Sequence, residues 1–319
     1  MFQWTLERLA RDGISEAVLA VNRLTEFYIK QQRIPRSGIT IKYSTDPPKK
    51  PLGTAGPVKH AEHLLSNESF LVLNGDIFAD ISYAELLKSH LKTGASATIA
   101  LCEVEDPSRY GVAELAKNGQ IKRFIEKPPR GKEPSKLINA GVYVLNPEVI
   151  KLIPAGKAIS MEREIFPKLA SQGKLYGQIV HGLWMDIGKP EEYMQANRVI
   201  LDKVKLEQKN KWKTGFNVKT PIALDKGVKI GSNSTIGPYA VMGKKVSIGK
   251  NVHVAESVIF SGTKIEDNAT IVGAIIGEEA VIGQNVKIGH GCIIADHAKI
   301  LKDANLVDNT SVCPAKEVF

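Results

Sequence analysis

The chain has 319 residues, 43% of them hydrophobic, which is enough to bury a large core and to form two domains. Its formal net charge of +9 suits phosphorylated substrates, but no basic run alternates with aromatic residues, so nucleic-acid binding is disfavoured. No apolar run or signal peptide points to a membrane, and three scattered cysteines without metal-type spacing favour a cytoplasmic protein.

The N-terminal part alternates between helix and strand patterns. Apolar residues at helical spacing predict a helix over residues 2–11, in which Phe2 and Trp4 have no evident partner to cover them. Strands are predicted over residues 17–21 and 39–43, on either side of another helix. This alternation predicts an α/β fold with a mostly parallel, doubly wound sheet.

A glycine-bearing turn at residues 51–57 leads into an apolar-periodic helix. Backbone N–H groups in such a turn can approach a nucleotide closely, and the helix N-terminus adds positive potential. The glycine spacing matches neither the dinucleotide fingerprint nor the phosphate loop. On its own, the turn therefore fits a simple connection at least as well as a nucleotide site.

Two aspartates follow predicted strands. Asp76 comes after the apolar run 70–73, and Asp186 comes after residues 183–185 and before Pro190, which can open a helix. Ligands of open α/β sheets lie beyond the carboxyl ends of strands, so the two carboxylates are candidates to hold Mg²⁺ together with substrate phosphates. Taken singly, each aspartate is explained more simply as the cap of a turn or helix.

The middle of the chain continues the alternation and then forms a hairpin. Ser82 and Glu85 make a capping box for a helix, and residues 97–104 follow as a strand. A turn at Asn118–Gly119 joins two further strand patterns, the second of which covers residues 121–126.

Three polar residues at the end of this hairpin and beyond it are candidates for binding a sugar phosphate. Lys127 offers a point charge for a phosphate, Glu126 accepts hydrogen bonds from hydroxyl groups, and the Asn139 amide both donates and accepts. A solvated Glu–Lys pair and a turn-capping asparagine are the simpler interpretations, and composition alone favours them.

The C-terminal third has a six-residue period. A helix from Pro190 and a lysine-rich linker over residues 205–219 precede it. Apolar residues then recur six apart from Ile230 to Phe260, and the register slips by one at Ile265 and Ile271 before the period resumes at Ile276. This period predicts a left-handed parallel β-helix over residues 220–319, after a first domain over residues 1–204.

Hexapeptide-repeat proteins include acyltransferases, so His290 and His297 are candidates for acyl transfer. Both occupy repeat positions where a polar residue faces solvent, and no long loop is extruded to build an acceptor site. Oligomerisation is the better role for the solenoid.

The chain resembles the sugar-1-phosphate nucleotidylyltransferases over essentially its whole length. Seven motifs occur in that family's order: Leu52–Gly56, Leu73–Asp76, Tyr110–Gly111, Phe124–Pro128, Asn139–Tyr143, Ser160–Pro167 and Trp184–Gly188. The likeness is greatest to the branch that uses mannose 1-phosphate. The resemblance implies a Rossmann-like nucleotidyltransferase domain and transfer from a nucleoside triphosphate to a sugar 1-phosphate. GTP with mannose 1-phosphate is the expected pair, and glucose 1-phosphate with UTP or dTTP is the alternative.

The resemblance also assigns roles to individual residues. Asp76 and Asp186 would hold Mg²⁺, and these two residues with Lys127, which contacts the sugar phosphate, would form the catalytic set. The remaining residues divide into a nucleotide group, Leu52, Gly53, Thr54 and Gly56, and a sugar group, Gly111, Glu126 and Asn139. The nucleophile is already an anion, so positioning and charge neutralisation matter more than a general base.

One departure from the family concerns the N-terminus. Members begin with a strand and a glycine-rich loop carrying Gly-Thr-Arg, then a Pro-Lys pair, and this sequence starts after both. Loss of that triphosphate loop should nearly abolish turnover, and loss of the strand should leave a gap or an unpaired edge in the sheet. We expect a start at an internal methionine of a longer reading frame, and the alternative is a non-catalytic regulatory subunit that binds a nucleotide sugar.

Overall fold

The structure is a computed structural model that describes residues 2–31, 38–48, 51–204 and 215–319. The chain divides into two compact units, Met1–Asp186 and Ile187–Phe319. Most of the predicted linker lies outside the described residues, and the domain limits derived from the sequence stay a prediction. None of the helices in the described ranges has the length and apolarity needed to cross a bilayer.

The helices of the first unit follow the predicted pattern. They are α1 (Phe2–Arg11), α2 (Arg23–Gln31), α3 (Gly56–His60), α4 (Tyr83–Thr93), α5 (Pro147–Ile150) and α6 (Phe166–Ser171), with a 3₁₀ turn at Glu62–Leu64 and a π-helical turn at Met161–Ile165. The Ser82 hydroxyl accepts a hydrogen bond from the Glu85 N–H at the start of α4, and Gly94 ends the helix with a φ of 64°. The predicted N-cap of α4 is therefore present.

The strands of the first unit form one large mixed sheet and two small ones. They are β1 (Glu16–Val21), β2 (Thr40–Thr45), β3 (Phe70–Leu73), β4 (Ile77–Asp80), β5 (Ala97–Glu103), β6 (Gly111–Leu115), β7 (Ile121–Glu126), β8 (Leu137–Leu145), β9 (Leu175–Ile179) and β10 (Leu183–Asp186). The large sheet has the order β7-β6-β8-β5-β9, and β3 also pairs with β8. β8 is antiparallel to β3, β5 and β6, whereas β5 and β9 are parallel.

The predicted α/β class is confirmed, but the pairing of the large sheet is less parallel than expected. β3 and β5 run in the same direction, as a doubly wound sheet requires, yet β8 lies between them and runs the other way. The chain passes through the β6–β7 hairpin before it enters β8. The position of β8 between β3 and β5 therefore cannot be read from the local alternation of helix and strand. β1 and β2 form a separate parallel sheet, and among the described strands β3 pairs with β8 alone.

The core of the first unit fills both faces of the large sheet. On one face, Ile99 and Leu101 of β5 lie with Tyr143 and Leu145 of β8. On the other face, the alternate residues of the same two strands are buried among α4 and β4. Because both faces are covered, these central strands are continuous apolar runs instead of alternating ones.

The first helix is not uncovered, contrary to the expectation from its sequence. The Trp4 ring stacks on Phe78 of β4 with centroids 4.3 Å apart, and Leu6 and Leu9 are buried. The Arg8 guanidinium donates to the Ile81 carbonyl at 2.9 Å. The covering groups lie some seventy positions along the chain, so a local pattern cannot reveal them.

The second unit contains α7 (Pro190–Val204) and a parallel β-solenoid, which confirms the predicted fold of this region. Three six-stranded sheets form its sides, and inward aliphatic residues stack from coil to coil. The strands are Asn217–Val218, Ile222–Leu224, Lys229–Ile230, Thr235–Ile236, Ala240–Met242, Ser247–Ile248, His253–Ala255, Val258–Ile259, Lys264–Ile265, Thr270–Val272, Ile275–Ile276, Val281–Ile282, Lys287–Ile288, Ile293–Ile294, Lys299–Ile300, Asn305–Leu306, Ser311–Val312 and Glu317–Val318.

The register slip comes one repeat earlier than the sequence suggested. Met242 pairs with Ile259, which is buried, whereas Phe260 lies outside the stacked core. The inclusion of Phe260 in the six-residue period was therefore wrong. One corner of the solenoid carries a side-chain ladder in which Asn251 donates to Asn268, and Asn268 donates to Asn285, each at 3.1 Å.

Candidate active site

The glycine turn is fixed against the backbone of Ile159. The Leu52 carbonyl accepts from the Ile159 N–H at 3.0 Å, and the Ile159 carbonyl accepts from the Ala55 N–H at 2.9 Å. Gly53 has a φ of +71°, and a Cβ there would overlap the Ile159 carbonyl oxygen. A Cβ on Gly56 would lie 2.7 Å from the Leu52 Cβ. The glycines therefore allow a close backbone approach that shapes the turn.

The Thr54 hydroxyl is engaged on both its donor and acceptor sides. It donates to Glu162 Oε2 at 2.6 Å and accepts from the Met161 N–H at 2.8 Å. The Ser160 hydroxyl donates to the same Glu162 oxygen at 2.8 Å. Glu162 is buried, and these hydroxyl groups supply the hydrogen bonds that a buried carboxylate requires.

The amide of Asn139 is oriented by its neighbours in β8. Its Nδ2 donates to the Tyr143 hydroxyl at 3.0 Å, and its Oδ1 accepts from the Gly141 N–H at 2.9 Å. The Tyr143 hydroxyl in turn donates to Glu162 Oε1 at 3.4 Å. Burial, with a smaller contribution from the Glu162 charge, raises the pKa of Tyr143, so its hydroxyl stays protonated as a donor. A continuous hydrogen-bonded path thus joins Asn139 to Thr54.

Strand β8, which carries Asn139, also accepts hydrogen bonds from both aspartate-containing motifs. The Asn74 N–H donates to the Gly141 carbonyl at 2.9 Å, and the Trp184 Nε1 donates to the Ala140 carbonyl at 2.9 Å. Gly141 has a φ of +70°, and a Cβ there would lie 2.8 Å from Ile77 Cγ1. The loop before Asp76 and the strand that ends at Asp186 are therefore attached to two adjacent residues of β8, Gly141 and Ala140.

The pairing of β4 with β10 places the backbone positions of the two candidate metal ligands near each other. Asp186 lies opposite Ile77, which directly follows the exposed Asp76. The described ranges contain no cluster of three or more histidine, cysteine, aspartate or glutamate residues with metal-binding geometry. One or two carboxylates are the usual protein contribution to a Mg²⁺ site that is completed by phosphates and water. The donor set formed by the two aspartates fits such an ion.

Glu126 and Lys127 lie at the end of β7 in different environments. Gly111 pairs with Glu126 across the hairpin, and a Cβ on Gly111 would lie 2.8 Å from Glu126 Oε2. The Glu126 side chain is 16% exposed and the Lys127 side chain 60%, and their charged atoms are 4.0 Å apart. Lys127 has a φ of 49°, a backbone conformation that is uncommon without glycine. This pair differs from a solvated surface ion pair, because only the lysine is exposed.

The environment of Glu126 makes its carboxyl group harder to ionise than that of an exposed glutamate. Burial, followed by the neighbouring Glu162 charge, raises the pKa of Glu126, while Lys127 and Arg163 oppose this shift. Such a shift in a carboxyl group next to a candidate ligand site is typical of functional positions.

Sequence reasoning gave no role to Tyr143 or Glu162, although both lie inside recognised motifs. No distinct signal in the sequence marked Glu162, because the stretch from Met161 to Phe166 also contains the charged Arg163 and Glu164. The two histidines proposed for acyl transfer lie elsewhere, in the solenoid. His290 lies over Gly273, where a Cβ would overlap its ring, and His297 pairs with Glu279 at 3.4 Å on the surface.

Comparison with known proteins agrees with this arrangement. A family model described as nucleotidyl transferase matches residues 1–203, and a second, described as the GMPPB C-terminal domain, matches residues 218–319. The chain therefore belongs to the nucleotidyl transferase family. Relatives of the chain include proteins named mannose-1-phosphate guanylyltransferases.

Three of these relatives illustrate the extent of the match. The mannose-1-phosphate guanylyltransferase catalytic subunit beta of Danio rerio is 33% identical over 316 residues, covering 98% of this chain and 87% of that protein. Its counterpart from Drosophila pseudoobscura pseudoobscura is 37% identical over 315 residues, with 98% and 84% covered. The probable mannose-1-phosphate guanylyltransferase 2 of Oryza sativa subsp. japonica is 35% identical over 278 residues, with 85% and 76% covered.

Solved structures show the same relationship. The crystal structure of HddC from Yersinia pseudotuberculosis has a TM-score of 0.53 and 25% identity, and the match covers 62% of this chain and 84% of HddC. HddC complexed with GMP-PN has a TM-score of 0.52 and 26% identity, with 62% and 85% covered. The predicted membership of the sugar-1-phosphate nucleotidylyltransferases is thus confirmed.

Proposed function

We propose that the protein transfers a guanylyl group from GTP to mannose 1-phosphate, which yields GDP-mannose and pyrophosphate. The main structural support is the hydrogen-bonded path from Thr54 through Glu162 and Tyr143 to Asn139. This path links one predicted nucleotide residue, Thr54, to one predicted sugar residue, Asn139. The names of the relatives support GTP and mannose 1-phosphate as the substrates.

In this proposal the nucleotide lies along the glycine turn. Leu52, Gly53 and Gly56 give the turn its shape by packing on residues 157–159. Thr54 acts by fixing the turn, because its hydroxyl is already engaged with Glu162 and Met161. A preorganised turn reduces the ordering cost of binding.

The sugar 1-phosphate lies between β7 and β8. Glu126 and the Asn139 amide bind its hydroxyl groups, and Gly111 leaves room beside Glu126. Lys127 is exposed and contacts the phosphate as a point charge. Asp76 and Asp186 would hold Mg²⁺, which when bound offsets negative charge on the phosphates.

The reaction is an in-line substitution at the α-phosphorus of GTP. A phosphate oxygen of mannose 1-phosphate forms the new P–O bond, and the bond from the α-phosphorus to the oxygen bridging to the β-phosphorus breaks. Pyrophosphate leaves with that bridging oxygen. The nucleophile is an anion, so this chain's residues bind and orient the two substrates and need not remove a proton.

We further propose a cytoplasmic location and a homo-oligomer formed through the solenoid. All three cysteines are free, and two of them are buried, which suits a reducing compartment. The oligomer is proposed from the repeat pattern of the sequence alone, because the apolar outward positions Ile275 and Ile293 lie next to α7 of the same unit.

Pyrophosphate release from GTP and mannose 1-phosphate with Mg²⁺ tests the proposed activity. Release above background is the expected result. Asp76→Asn should abolish the release, whereas Glu105→Gln, a matched loss of charge at an exposed side chain, should preserve it. GDP-mannose binding without turnover would favour the regulatory alternative, and absence of both would refute the proposal.

A further inference from the structure

Glu162 occupies a position that the proposed reaction does not yet explain. Its carboxyl group is buried between the glycine turn and β8, and each of its two oxygens faces a different part of the site. Oε2 accepts from Thr54 at 2.6 Å, and Oε1 accepts from Tyr143 at 3.4 Å. The residue thus lies between the nucleotide group and the sugar group.

The directions of these hydrogen bonds are determined by the other groups that bind the two hydroxyls. The Thr54 hydroxyl already accepts from the Met161 N–H, and the Tyr143 hydroxyl already accepts from the Asn139 amide. Each hydroxyl has only one proton, and that proton is directed at Glu162. The bridging residue must therefore accept on both oxygens, which a carboxylate does and a carboxamide does not.

Backbone contacts make this bridge stiff on both sides. The Ser160 hydroxyl supports Oε2 at 2.8 Å and also accepts from the Arg163 N–H at 3.1 Å, which anchors the π-helical turn. On the nucleotide side, the Met161 N–H to Thr54 bond and the contacts of Gly53 with Ile159 fix the glycine turn. A displacement of the turn is therefore transmitted to Glu162.

We propose that Glu162 is a positioning residue that couples the two substrate subsites, so that occupation of the glycine turn by the nucleotide orders Asn139 for the sugar. This inference rests on the proposed function. It assigns to Glu162 no contact with either substrate, because its carboxyl oxygens are engaged with Thr54, Ser160 and Tyr143. Coupling of this kind is reciprocal, so the sugar phosphate must also tighten nucleotide binding.

Calorimetric titration measures this coupling without turnover. The ligands are mannose 1-phosphate and a GTP analogue with a methylene group between the α- and β-phosphates, each titrated alone and in the presence of the other. In the wild type, each ligand should tighten binding of the other. In Glu162→Gln one hydroxyl loses its acceptor, and the dissociation constants should no longer depend on the second ligand. Loss of one buried hydrogen-bond acceptor corresponds to about a 5- to 150-fold loss in the affinity of each ligand measured in the presence of the other.

The control is Glu164→Gln, in the same π-helical turn. Glu164 is exposed and accepts from the Ser160 N–H at 3.0 Å, and glutamine keeps an acceptor for that bond. This variant should show wild-type coupling. If Glu162→Gln does not fold, Thr54→Val and Tyr143→Phe each remove one arm of the bridge, and each should weaken binding of the ligand on the opposite side.

The outcomes separate this inference from the proposed function. Wild-type protein that binds neither ligand would refute both. The role of Glu162 would be refuted if the wild type binds both ligands and Glu162→Gln, or both single-arm variants, show the same coupling as the wild type. The proposed function would then still stand. A purely structural role would lower the melting temperature without abolishing coupling.

Discussion

Replacement of Gly53 by alanine introduces two conflicts into the glycine turn. The φ of +71° costs an L-residue roughly 1–2 kcal/mol, and the added Cβ overlaps the Ile159 carbonyl oxygen, so the backbone must also move. We expect a loss in the free energy of unfolding of at least about 2 kcal/mol, which for a unit of this size lowers the melting temperature by roughly 4–8 °C.

Urea unfolding followed by circular dichroism measures this loss, and Gly75→Ala is the control. Gly75 lies in the turn before Asp76, has no positive φ, and a Cβ there meets nothing within 4 Å. Its replacement should change stability by less than about 0.5 kcal/mol. Equal stability of Gly53→Ala and wild type would show that the contact with Ile159 does not constrain the turn.

Three further predictions concern the sugar site, the first helix and the solenoid. Burial raises the pKa of Glu126, so its carboxylate becomes protonated at a higher pH than that of an ordinary glutamate. The affinity for mannose 1-phosphate should therefore fall as the pH is lowered through this raised pKa, which calorimetry will measure. Trp4→Ala should cost about 2 kcal/mol in urea unfolding through loss of its stacking on β4, whereas Phe27→Ala, at an exposed position, should cost less than about 0.5 kcal/mol. Ile288→Ala should destabilise the solenoid by about 2–5 kcal/mol and the adjacent, outward Lys287→Ala should be nearly neutral, which thermal unfolding will show. Equal effects within either pair would contradict the assigned burial.

Local patterns predicted the solenoid well because its structure is itself local. Each coil repeats a short inward, outward and corner pattern, so the period of aliphatic residues is enough to define the fold. The error at Phe260 arose because two adjacent apolar residues both fit the row, and only pairing with the preceding coil shows that Ile259 points inward.

The large sheet was predicted less completely because its order depends on distant contacts. The helix and strand pattern gave the correct class, and the capping box at Ser82 marked a true helix start. The antiparallel β8 at the centre and the cover of Trp4 by Phe78 both depend on segments far apart in sequence. Propensity and periodicity carry no information on such pairings.

The candidate site was predicted through its motifs, and the connections between them came from the structure. The roles given to Asp76, Lys127 and Asp186, and to the nucleotide and sugar groups, remain predictions that the experiments above test. A buried glutamate such as Glu162 was not foreseen, because burial of a carboxylate depends on hydroxyl partners that the fold supplies.

The most direct test of the proposed function is the identity of the product. GTP with mannose 1-phosphate and, in parallel, UTP with glucose 1-phosphate are incubated with the protein and Mg²⁺, and the products are identified by mass. We predict GDP-mannose from the first mixture and little or no nucleotide sugar from the second. A uridine sugar as the main product, or no nucleotide sugar from either mixture, would contradict the proposed guanylyl transfer.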